Sequence, residues 1–159
     1  RARKHGIMPT LRRLQQCDID TGHFYVQVTD YLSEVTKALI HITRPAFGHI
    51  DNNHEGLSKE QIVDLMRVND QVEAIFDKIN DMLRTKDFSD LDMVLEMRDK
   101  LFDTIVEAIK SQLRRINDVP SGSTRAGVLY LTILNETKTM MLQSRNLLKS
   151  QQYFLEAKK

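Results

Sequence analysis

The chain has 159 residues, 23 Lys and Arg against 22 Asp and Glu, one Cys and no Trp. That length suits one domain burying roughly two-thirds of its unfolded surface. A formal net charge of +1 gives no field steering the chain towards nucleic acid, and one cysteine excludes an internal disulfide framework or a cysteine-rich zinc site.

Glycine and proline are scarce. Six Gly and three Pro stand against an average share of roughly 12% of residues, and neither occurs between Leu57 and Val119. Such a stretch lacks the punctuation that ends strands and makes hairpins. Long helices are expected before any pattern is read. No apolar run approaches the ~20 residues that span a bilayer.

Residues 1–17 are basic, with Arg1, Arg3, Lys4, Arg12 and Arg13, no acid, and breaks at Gly6 and Pro9. They read as a solvated connector, or as a segment near an anionic membrane face. The chain opens without an initiator Met and is read as a piece of something longer. A bundle is expected over 18–159.

The first helix is predicted over about 20–50. Asp18, Asp20 and Thr21 are N-cap candidates, since their side-chain oxygens can accept first-turn N–H groups. Phe24, Val28, Tyr31, Val35, Ala38 and Ile42 alternate in steps of four and three, and Leu32 and Leu39 widen the stripe. Pro45 has no N–H to donate, which predicts a kink or restart near it. The turn cluster from Asp51 to Gly56 follows, including His54 and Glu55; it reads as capping chemistry rather than a metal site.

Ser58 and Gln61 have the spacing of a capping box opening the second helix. Ile62, Leu65, Asn69, Val72, Phe76, Ile79 and Leu83 then form a seam with one polar member. A third helix follows Lys86-Asp87-Phe88-Ser89. It carries Leu91, Leu95, Phe102, Ile105, Ile109 and Ile116, with Arg98 and Gln112 in the polar gaps. Val119-Pro120-Ser121-Gly122-Ser123 ends it. The fourth is predicted over about 124–155, with two stripes, Leu129/Ile133/Met140/Leu147/Phe154 and Tyr130/Leu134/Met141/Leu148/Leu155. Four amphipathic helices of about 30 residues joined by short turns predict an all-α, elongated, antiparallel bundle. Ile62, Val72, Phe76, Ile79, Phe102, Ile105 and Ile109 are expected to be buried together. The breadth of the fourth helix's apolar face predicts a twofold homodimer.

No phosphate loop, nucleophile elbow or HExxH motif is present, and an enzyme is not expected. Glu136 interrupts an apolar stripe and needs a partner or a metal, for which Arg98 or another basic residue in the seam is the natural candidate. Acids four apart share a helix face: Glu60/Asp64, Glu73/Asp77, Asp77/Asp81 and Asp99/Asp103. Such pairs repel mildly. They read either as a solvated face tempered by Lys78 and Lys100, or as oxygen ligands to a divalent or trivalent metal ion.

Three segments carry a resemblance: Asp20-Thr21-Gly22-His23-Phe24-Tyr25-Val26-Gln27, His49-Ile50-Asp51-Asn52-Asn53-His54, and Leu129 to Lys138. Together, over Asp18 to about Phe154, the chain resembles the PhoU-like C-terminal cytoplasmic region of bacterial sodium/phosphate cotransporters. The resemblance implies a PhoU-like bundle on the cytoplasmic side of the cell membrane, following a sodium/phosphate transport domain and regulating or coupling to it. It also implies metal held by acid-x-x-x-Asp pairs, for which Glu73, Asp77, Asp99 and Asp103 are the best set here. The dense acidic repeats of two-bundle relatives are not matched. The alternative is a free-standing helical adaptor that signals through oligomerisation.

Overall fold

The computed structural model describes residues 19–118 and 124–156, with no strand among them. The helices are α1 (Ile19–Asp51), α2 (Lys59–Thr85), α3 (Leu91–Asp118) and α4 (Thr124–Glu156). The fold is an all-α bundle. The basic connector, the N-cap candidate Asp18 and the terminator after α3 lie outside the described residues.

Local chemistry sets the helix ends. Asn53 adopts a left-handed conformation, φ 51°, and its N–H donates to the Ile50 carbonyl while that of His54 donates to the His49 carbonyl. These two bonds satisfy carbonyls that α1 would otherwise leave unpaired. The capping box opens α2: the Gln61 N–H donates to Ser58 Oγ at 3.2 Å and the Ser58 N–H to Gln61 Oε1 at 2.8 Å. Lys86, φ 59°, closes α2. The Ser89 N–H then donates to Asp87 Oδ1, which holds the Asp87 carboxyl below its ordinary value.

Pro45 does not divide the first helix, which runs unbroken to Asp51. Proline in a helix interior costs ~3 kcal/mol. Packing along α4 on both sides of the proline offsets that cost: Gly22, Ala38 and His49 of α1 are all buried. The pair is antiparallel. Phe24 stacks on Phe154, ring centroids 4.2 Å apart, at one end, and His41 reaches Glu136 further along.

α4 is the central element. It packs against α1, α2 and α3, whereas α1 packs on α4 alone. Tyr130, Leu134 and Leu148 are fully buried and Met141 is 1% exposed; each such side chain contributes roughly 1.5–3 kcal/mol. Much of the broad apolar face of α4 is therefore covered by helices of the same chain, while Ile133 and Met140 of that face look into a gap between α1 and α2. α2 and α3 form the second close pair, through Ile75, Ile79, Leu101 and Ile105.

The seam of α2 is rotated by one residue from the expected one. Gln61, Val68, Ile75, Ile79 and Met82 are buried, whereas Asn69 is exposed and Ile62 is 45% exposed. Of the expected core, Ile79 and Ile105 are buried. Val72, Phe76, Phe102 and Ile109 pack on the core's edge. The physical reason is the placement of neighbours. α3 and α4 lie on the Val68/Ile75/Met82 side, and the Ile62/Asn69/Phe76 side faces α1 across a gap.

Candidate functional site

That gap is an apolar groove of about 780 Å³. Val35, Leu39 and Ile42 of α1 form one wall. Ile62, Leu65, Met66 and Phe76 of α2 form the other, and Ile133, Thr137 and Met140 of α4 form the floor. Its α2 wall runs from Ile62 to Phe76, about 20 Å or four helical turns. Leu39 is 46% and Met66 62% exposed, so the groove's lips are apolar side chains in water.

The far side of α2 is locked by polar contacts. Gln61 caps α2 with its amide oxygen, and its Nε2 donates to Gln112 Oε1 of α3 at 2.9 Å, both residues being buried. Gln112 in turn lies close to Gly127 of α4, where a Cβ would come within 3.0 Å of its Nε2. One turn along, Asp64 accepts from the Tyr130 hydroxyl at 2.9 Å and from Arg115 Nη2 at 3.2 Å. Arg115 also stands over the Tyr130 ring. Burial and the Asp64 carboxylate push the Tyr130 hydroxyl well above its ordinary value, so it remains a donor. Three helices are thereby pinned in one register, while the groove side of α2 is left free.

Glu136 stands half-buried on α4. Its partner is His41 of α1, with Nδ1 3.5 Å from Oε2. Of the basic candidates, Arg98 donates to Asp99 and stands over Phe102.

The four acids proposed as metal ligands are all exposed. Glu73 and Asp77 lie two residues either side of Ile75, about 200° of helical rotation from the buried stripe. Asp99 and Asp103 flank Leu101 in the same way. Each pair therefore turns outward, and Asp99 is occupied by Arg98. Asp103 borders a separate cleft with Asp64, Arg67 and Glu107. Among the described residues, no group of three or more His, Cys, Asp or Glu is placed to hold a metal ion.

The groove was not legible in the sequence because an apolar stripe does not tell whether a neighbouring helix covers it. Its signal was an apolar residue outside every expected stripe, Met66, and the widening of the α1 stripe by Leu39. The Gln61–Gln112 and Asp64–Tyr130 contacts carried a weaker signal, polar groups placed on apolar faces. No described helix is long and apolar enough to cross a membrane. No protein-family model, curated protein or solved structure matches the chain.

Proposed function

We propose that this bundle is a regulatory or coupling module that binds an apolar helix in the groove between α1 and α2. In line with the resemblance drawn from its sequence, the docked helix belongs to a sodium/phosphate transport domain, and the bundle acts on the cytoplasmic side of the membrane. The observation that carries the reading is the groove itself. Its walls and floor are mostly apolar, with Asn69 and Asp70 on the α2 side and Thr137 in the floor, its lips are exposed apolar side chains, and it is long enough for the apolar face of one amphipathic helix. The role requires packing and no chemistry at the site.

The test is retention of the full chain on a purified sodium/phosphate transport domain in detergent. The wild-type chain is expected to be retained. The Leu39→Glu/Met66→Glu double variant is expected to be lost, with unchanged helix content and melting, because both side chains sit on the lips. Retention of a folded double variant removes the groove from the mechanism. Failure of the wild-type chain to bind removes the transport domain as partner.

A second reading, an adaptor acting through self-association, is favoured by one further observation. Phe47 and Ile50, near the end of α1, are 70% and 74% exposed. Its test is a molecular mass that rises with concentration and falls back in Phe47→Ser/Ile50→Ser.

A further inference from the structure

The turn joining α1 to α2 is held by two histidines. His49, in the last turn of α1, is buried, and its Nε2 lies 2.7 Å from the Glu55 carbonyl oxygen. That nitrogen therefore carries a proton and donates it. His54 packs edge-on to the His49 ring, with centroids 5.3 Å apart. Arg125 of α4 brings Nη1 to 2.8 Å from His54 Nε2 and 3.2 Å from Nδ1.

One guanidinium nitrogen therefore packs against both ring nitrogens, a cationic contact that a neutral imidazole accommodates and a doubly protonated, cationic one opposes. His49, His54 and Arg125 are the ionisable side chains lining a cavity of about 360 Å³ between the end of α1 and the start of α4, and no acid lines it. Arg125 also stands in the first turn of α4, which carries no acidic residue. The partial positive charge of a helix N-terminus disfavours a further cation there. Burial, then Arg125, then His49 hold His54 below its ordinary value.

We propose that the α1–α2 turn is a pH latch: protonation of His54 turns its close packing against the Arg125 guanidinium into a like-charge contact and releases the turn from α4. A released His54 takes up its proton near the ordinary value of 6.5, and the latched one only at lower pH. The latch is therefore complete above about pH 6.5 and is lost as pH falls below it. The released segment leads into Leu57, which lines the apolar groove, and Ser58, which caps α2. Acid thus loosens the end of the groove at which α1 and α2 are joined. The inference rests on the geometry of the turn and stands whether or not a helix docks in the groove.

The test uses the full chain and two NMR readouts. The first is the titration of the His54 ring. The second is amide exchange, corrected for intrinsic rates, at Asn53 and His54, whose N–H groups close the end of α1. At pH 5.5, one unit below the ordinary value, protonation favours the released turn by up to about tenfold. The expected result is a His54 pKa below 6.5 that rises in Arg125→Gln. Protection at Asn53 and His54 should fall up to about tenfold between pH 7.5 and 5.5 in the wild type and stay level in His54→Gln, with Leu134 in the core unchanged in both. A His54 that titrates at or above 6.5 overturns the latch. So does protection that ignores pH, or that changes equally in His54→Gln.

Discussion

Truncating two adjacent residues, Ile75 and Phe76, separates the observed packing of α2 from the alternative in which Phe76 is core. Ile75 is 1% exposed and belongs to the central cluster, whereas Phe76 is half-buried and lines the groove. Ile75→Ala removes three buried carbons, about 2.4 kcal/mol at ~0.8 kcal/mol each. The surrounding α3 and α4 side chains cannot fully collapse, and the residual cavity adds about 1 kcal/mol. The expected cost is about 3–4 kcal/mol. Phe76→Ala removes more atoms, but part of the ring already meets water. The space it leaves joins an existing groove rather than forming a closed void, so its cost should be about 1–2 kcal/mol. A buried Phe at this position would instead cost about 3–5 kcal/mol. Urea denaturation reads both variants, with the m-value checking that the amount of surface exposed on unfolding is unchanged. For a chain of this length the Ile75 variant should melt lower by roughly 6–16 °C. Phe76→Ala costing as much as Ile75→Ala would refute the one-residue rotation of the seam, and with it the groove.

The polar lock makes further predictions. Tyr130→Phe leaves Asp64 with Arg115 as its remaining cross-helix donor and should cost about 1–2 kcal/mol in denaturation; a neutral result would mean that the hydroxyl bond contributes nothing to the register. Gln112→Ala strands the buried Gln61 amide and should cost about 2 kcal/mol, while Gln61→Ala should cost more because it also removes half of the capping box. Acid should destabilise the chain. Glu60, held below its ordinary value of 4.5 by its own backbone N–H and Ser58, and Asp87, held down by Ser89, bind fewer protons folded than unfolded. Their contribution is present above the ordinary carboxylate range and is lost as pH falls through it. Asp87→Asn should flatten part of the melting-temperature decline below pH 4.5, and an unchanged slope would contradict the assigned cause.

What was legible in the sequence is what depends on near neighbours along the chain. Ser58 and Gln61 form their capping box within one turn, Asn53 and His54 close α1 within five residues, and the scarcity of glycine and proline yields four long helices. None of these needs a distant partner. The choice of inward face does. The stripes Gln61/Val68/Ile75/Met82 and Ile62/Asn69/Phe76/Leu83 lie one residue apart on α2 and share Leu65, Val72 and Ile79 between them. A step of three or four residues serves either. The tie is broken by where α3 and α4 stand, and that follows from α4 taking the centre and holding α1 away from α2. The same placement turned Glu73, Asp77, Asp99 and Asp103 outward and gave Glu136 to His41 rather than Arg98. A periodic pattern specifies which residues share a face, but the face becomes a core or a groove only when another helix does or does not cover it.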